Sequence, residues 1–362
     1  MDELRDLYRA PMPMVAREIV PRFKARSEVL AADVSSNGKH AVAAHANGGL
    51  TFWDFATGTE VIQQKLGTDV SRCSLAADAL RFAAVYGKPP RLRVFDYLKG
   101  TRIALETKGV DQIALARNGR HLAATTLEGW LWVHDLVDPS KTCRVSVHGS
   151  EPALARGSGL AISWDGRRVA RAYLDGRVFV FDVRHQTCSV RSASDGRAHE
   201  ELRSSVCAAL SADGRRAVSA GGHGAVIAWD LEKNDWEKVI VARPEEAVRD
   251  VAMTADGRHV ALLGERYSQH GSQRISLQIR EWSTGRLVAE AHHYARGHLE
   301  RCAMTPDGRS LVVWGDGLIF VGPWAPPGGG PPRLPAHVLV DPPRPRLPEP
   351  TAEAALALEE ES

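Results

Sequence analysis

Between Gly176 and Asp182 the chain reads Gly-Arg-Val-Phe-Val-Phe-Asp, placing Val178 and Val180 on one face of an extended segment and Phe179 and Phe181 on the other. A strand that is apolar on both faces must be covered on both sides. The run before it, Arg168 to Leu174, has the same strand-like character, and Asp-Gly turns stand before each run at Asp165-Gly166 and Asp175-Gly176. Asp-Gly suits a tight turn because glycine tolerates positive φ and the aspartate carboxylate bonds the backbone that follows it. The predicted unit is therefore a set of short antiparallel strands joined by tight turns.

The unit recurs. Asn-Gly or Asp-Gly stands at Asn37-Gly38, Asn118-Gly119, Asp165-Gly166, Asp213-Gly214, Asp256-Gly257 and Asp307-Gly308, with a worn copy at Asp78-Ala79. Successive steps between the second residues of these turns are 41, 40, 47, 48, 43 and 51. In four units the same 16 residues separate the turn glycine from a closing aspartate: Gly38 to Asp54, Gly119 to Asp135, Gly166 to Asp182 and Gly214 to Asp230. A period of forty-odd residues built from strands points to a β-propeller.

The closing Trp-Asp pairs at Trp53-Asp54 and Trp229-Asp230 resemble the WD repeat, with Phe95-Asp96, His134-Asp135 and Phe181-Asp182 as looser versions, and Gly297-His298 is similar to that family's Gly-His element. The resemblance covers roughly residues 26–324. It implies an all-β, seven-bladed β-propeller of four-stranded antiparallel blades that serves as a platform for other macromolecules. It also assigns structural roles to Trp53, Asp54, Asp182, Ser219, Trp229, Asp230 and His298. In the family a His, a Ser or Thr, an Asp and the Trp of one blade form a hydrogen-bonded set. The fifth unit keeps Ser219 and Trp229 with His223 at the Asp place, the fourth keeps Asp175 with Arg171 and Phe181, and the seventh keeps His298 without a Trp-Asp end. No unit holds all four residues, which shifts the expected stabilisation towards apolar packing.

The ends fall outside the period. Residues 1–14 form an N-terminal arm, in which Asp2 to Arg9 predicts a short helix stopped by Pro11; residues 15–324 form the propeller; residues 325–362 form a Pro-rich, largely irregular tail. The seventh unit is one strand short, ending at Pro323, and a ring with an open seam exposes unpaired strand edges. Residues 15–20 are assigned to complete it, with His337–Val340 as the alternative.

Composition then narrows the function. The 46 basic and 44 acidic residues give a net charge of +2 and are mixed along the chain, which argues against a nucleic-acid partner. The five cysteines show no CxxC spacing and three of them, Cys73, Cys207 and Cys302, share a place on the first strand of their units, so they read as small buried hydrophobes in a reducing compartment. No run is long enough to span a membrane and the start is polar, so the expected location is cytoplasmic, with no membrane partner. His292, His293 and His298 do not make a metal site, because adjacent residues of a strand face opposite ways. No cofactor is assigned.

The expected function is a non-catalytic protein-interaction scaffold. The largest departure from the repeat lies between Leu263 and Ile275, where about ten extra residues predict a protruding hairpin or loop. Its Arg266, Tyr267, His270 and Arg274 are the candidate partner-binding residues, joined by Glu128, Asp175 and His223 from the second-turn loops of other units. No G-x-S-x-G, H-E-x-x-H or P-loop motif is present, and no catalytic residue is assigned. The alternative is a hydrolase or lyase whose active site, drawn from scattered residues, lies at the mouth of the central channel.

Overall fold

A computed structural model describes residues 17–18, 29–34, 40–45, 47–54, 59–65, 70–76, 81–88, 90–96, 101–147, 159–173, 177–191, 207–221, 224–233, 235–241, 247–267, 273–294, 299–305, 311–315 and 318–321. These contain 28 strands, one 3-10 turn at Pro139–Lys141 and no α-helix. The predicted N-terminal helix, the tail from 325 onwards and His337–Val340 lie outside the described residues.

Strand β1 is Arg17–Glu18. The first sheet holds β2 (Val29–Val34), β3 (His40–His45), β4 (Gly49–Asp54) and β5 (Thr59–Lys65), and the second β6 (Arg72–Leu75), β7 (Arg81–Tyr86), β8 (Arg91–Asp96) and β9 (Thr101–Leu105). The third holds β10 (Val110–Leu115), β11 (His121–Thr126), β12 (Trp130–Asp135) and β13 (Cys143–Ser146). The fourth holds β14 (Gly159–Ile162), β15 (Arg168–Ala172), β16 (Val178–Asp182) and β17 (Thr187–Arg191). The fifth holds β18 (Cys207–Leu210), β19 (Arg216–Ala220), β20 (Ala225–Asp230) and β21 (Asp235–Val241). The sixth holds β22 (Ala247–Met253), β23 (His259–Tyr267), β24 (Gln273–Glu281) and β25 (Leu287–Tyr294), and the last β26 (Leu299–Met304), β27 (Leu311–Gly315) and β28 (Leu318–Val321).

Six sheets have the four antiparallel strands of a complete blade, not seven; among the described residues the last sheet has three. The segment assigned to complete that sheet pairs elsewhere: β1 runs parallel to β25, with Arg17 opposite Ala291 and Glu18 opposite His292, as a fifth strand on the sixth blade. The physical reason is that any blade's outer strand offers the same row of free backbone groups, so an extended arm satisfies its hydrogen bonds equally well one blade away. The ring nevertheless comes round, because β26 and β27 lie against β2.

Packing between neighbouring sheets makes the core. Seven apolar clusters each join one sheet to the next, as where Val42, Leu50 and Phe52 meet Leu75, Phe82 and Phe95. There Phe82 is fully buried, stacked on Phe95 at 4.7 Å and edge-on to Phe52 at 5.5 Å. The second strands are rich in alanine, with Ala41, Ala43, Ala83, Ala123, Ala170 and Ala217 all buried. Sheets converge towards the axis, so strands close to it have little room on either face. Val178, Phe179, Val180 and Phe181 are all buried, as their two-sided apolar pattern predicts.

The first turns act as the joints. In three successive blades the turn aspartate accepts a hydroxyl and a backbone N–H: Asp165 from Ser163 (2.7 Å) and Arg167 (3.0 Å), Asp213 from Ser211 (2.6 Å) and Arg215 (3.0 Å), Asp256 from Thr254 (2.7 Å) and Arg258 (2.9 Å). Gly166 and Gly257 have φ of 75° and 66°, and a Cβ on Gly257 would stand 2.9 Å from Arg216 of the blade before. Backbone bonds then link blade to blade, from Asn118 N to Trp164 O (3.0 Å), Trp164 N to Ala212 O (3.1 Å) and Ala212 N to Ala255 O (2.8 Å).

Candidate interaction surface

The residues given structural roles divide by what they touch. Trp229 is buried and donates from Nε1 to Ser219 Oγ at 2.9 Å. Two members of the four-residue set therefore make their bond within the fifth blade. Asp182 and Asp230 each cap the turn that follows their strand, Asp182 accepting His185 N (2.9 Å) and Asp230 accepting Glu232 N (3.0 Å) and Lys233 N (3.2 Å). Partial burial pushes both carboxyls up, but these bonds outweigh it and hold their pKa values below the usual carboxylate range. Trp53 and Asp54 pair through the backbone with Ala41 and His40. Their side chains, and His298, lie outside the described residues.

In the third blade Asp135 performs the same task with an added cation. It accepts Val137 N and Asp138 N, both at 3.0 Å, and holds Arg120 at 2.7 Å. Burial acts to raise its pKa, and the hydrogen bonds from Arg120 and the two amides drive it well below the ordinary value instead. The neighbouring His134, at the Trp place, bonds Thr107 Oγ1 at 3.0 Å, and burial lowers its pKa to about 4.

At the axial end of the first strands, Arg117 bridges three blades. Its guanidinium donates to Val34 O (2.6 Å) and Asp33 Oδ1 (3.0 Å) of the first sheet and to Leu75 O (3.3 Å) of the second. Asp33 Oδ2 also accepts Leu75 N at 2.9 Å. Arg117 and Asp33 are thus engaged in fastening blades together.

Among the candidate binding residues, Glu128 is exposed in the turn between β11 and β12, beside Leu127, which is 70% exposed. Asp175, His223 and His270 lie outside the described residues. The insertion takes the form of a hairpin: β23 and β24 pair without a break from His259 opposite Glu281 to Tyr267 opposite Gln273. Arg266 and Arg274 face each other across this ladder. Nine-residue strands replace the five or six residues usual for the second and third strands of the other blades. At the base of the extension the buried Glu265 pairs with Arg249 of the adjacent strand. The structure thus brings Arg266, Tyr267 and Arg274 onto one hairpin, apart from Glu128 on the third blade.

A second feature was not singled out by the sequence. Trp130 and Trp132 lie two residues apart on β12, hence on one face, and Arg144 of β13 sits over both rings, 4.9 and 5.5 Å from their centroids. Trp132 stacks on His134 at 5.7 Å and packs against the apolar cluster that joins the second and third blades, which Ile103 and Leu105 of β9 also flank, so these residues lie along the outer crevice between the two blades. Both tryptophans are half-buried and Arg144 is exposed. The signal available in the sequence was a Trp-x-Trp strand followed by a strand bearing an arginine.

No family model matches the chain, and no curated protein matches it. Among solved structures, the β-propeller domain of Cps50 (Swd1) from Myceliophteria thermophila is similar, with a TM-score of 0.63 over 86% of this chain and 100% of that one, at 15% sequence identity. The fold is a β-propeller. At that identity the likeness speaks for architecture alone.

Proposed function

We propose that the protein is a non-catalytic interaction scaffold for one or more protein partners, with the β23–β24 hairpin of the sixth blade as a principal contact. The observation that carries this reading is the hairpin itself. Its pairing extends past the blade frame to Tyr267 opposite Gln273, at the end of the ring that also bears the second turns. A packed ring of sheets presents such a projection with little loss of conformational freedom on binding, and Arg and Tyr are residue types that dominate interface energetics. The free state of all five cysteines is consistent with a reducing, cytoplasmic setting.

The test is to replace residues 266–274 with a two-residue Asn-Gly turn, leaving the buried Glu265 in place, and to compare proteins captured from native cytoplasm by the two chains. The scaffold reading expects specific partners to be retained by the full chain and lost by the shortened one, with equal thermal unfolding midpoints. Identical capture by both chains would remove the hairpin from the account.

A further inference from the structure

We infer that the outer crevice between the second and third blades is a docking site for an extended segment of a partner protein, one carrying a single carboxylate within about four residues of a bulky apolar side chain. The inference deepens the scaffold reading and rests on it. Arg144 supplies the first argument. Its guanidinium carbon lies over the Trp130 and Trp132 rings, 4.9 and 5.5 Å from their centroids. Among the described residues it has no hydrogen bond and no ion pair, whereas Arg120, Arg167, Arg215 and Arg258 each have a carboxylate within 4 Å. A planar fork held on an aromatic surface matches a carboxylate in geometry and charge.

The second argument is apolar. Leu127 projects from the turn between β11 and β12, about four residues of extended chain from Arg144 by the rise of a strand. An apolar side chain of the partner placed there would cover it. The third argument is the strand edge. Strand β13 ends its sheet exactly as β25 ends the sixth, and β25 carries β1 as an added parallel strand. The outer edge of a blade in this molecule therefore accepts an extended segment, and one laid along β13 would pass over the exposed Arg144 and Ser146. Glu106 and Glu128 are exposed at the ends of the neighbouring strands, which favours one carboxylate over a polyanion such as a nucleic acid.

A random twelve-residue peptide library panned on the full chain tests this, with Arg144→Gln, Arg144→Lys and the shortened-hairpin chain panned in parallel. Enriched peptides should share an Asp or Glu three to five residues from Leu, Ile, Met or Phe. A synthetic consensus peptide should bind Arg144→Gln about tenfold more weakly, with Arg144→Lys between the two. The shortened-hairpin chain should bind it as the full chain does. Arg144 is exposed, so its variants should keep the parental unfolding midpoint, and Trp132→Phe gives a second reading with the rings preserved in part. No enrichment, enriched peptides without an acidic residue, or undiminished binding by Arg144→Gln would overturn the inference. So would Arg144-dependent binding of a uridine decamer in place of peptides. Peptide binding lost only on shortening the hairpin would exclude this crevice while leaving the scaffold reading standing.

Discussion

Replacing Ser219 by alanine should destabilise the fifth blade more than the loss of one hydroxyl suggests. The Ser219 hydroxyl is the acceptor for Trp229 Nε1 at 2.9 Å, and both residues are buried, Trp229 at 1% exposure. Removing the acceptor strands an indole donor away from water, which costs about 1–3 kcal/mol, whereas the net worth of an ordinary hydrogen bond is nearer 1 kcal/mol. Trp229→Phe removes the donor and part of an aromatic side chain packed between the fourth and fifth blades, at about 1–3 kcal/mol from lost volume. In the double variant no donor is stranded. The two losses should therefore fall short of adding, with a coupling of about 1 kcal/mol. Urea unfolding of the four proteins, followed by far-ultraviolet circular dichroism, measures this cycle. Additive losses, or a Ser219→Ala variant within about 0.3 kcal/mol of the parent, would refute the claim that this bond holds the fifth blade.

Glycine substitutions should separate backbone strain from collision. Gly109 and Gly257 have nearly equal φ, 64° and 66°, but an added Cβ meets nothing within 4 Å at Gly109 and stands 2.9 Å from Arg216 at Gly257. Gly109→Ala should cost about 1 kcal/mol and Gly257→Ala at least about 1 kcal/mol more, read as shifts in urea midpoint. His134 should make stability fall with acid. Burial lowers its folded pKa from 6.5 to about 4, so between those values the unfolded chain binds a proton that the folded chain refuses. Stability should decline as pH drops through that window, by up to about 3 kcal/mol, and level off below it, and His134→Gln should flatten the decline. Asp135 acts in a lower range: its depressed pKa gives stability that is fully present above the ordinary carboxylate value and lost as pH falls further, so Asp135→Asn should be closest to the parent in strong acid.

The blades were legible because their signals are local. An Asp-Gly turn needs only its own backbone and one hydroxyl, as Ser163, Asp165 and Gly166 show, and the two-sided apolar run at Val178–Phe181 reports burial wherever the strand finally lies. The extra length of the β23–β24 hairpin was legible as a break in the spacing between Gly257 and Trp282. The place of residues 17 and 18 was not, because strand addition at an outer edge uses backbone groups that every blade offers alike, and distance through space decides among them. The crevice around Arg144 was not legible for another reason. Trp130 and Trp132 fit the alternation of a buried strand, and only the placement of Arg144 of β13 over both rings, with Trp132 at the joint between the second and third blades, shows that they stay half-exposed under a cation.

Hydrogen exchange on the chain with and without a captured partner protein tests the central claim most directly. The account predicts that amides of residues 266–274 gain protection on binding, with a second protected stretch at Cys143–Ser146 where the partner supplies an acidic segment, while the inner strands exchange as before. Unchanged exchange at both places, or a gain confined to the residues around Arg117, would contradict it.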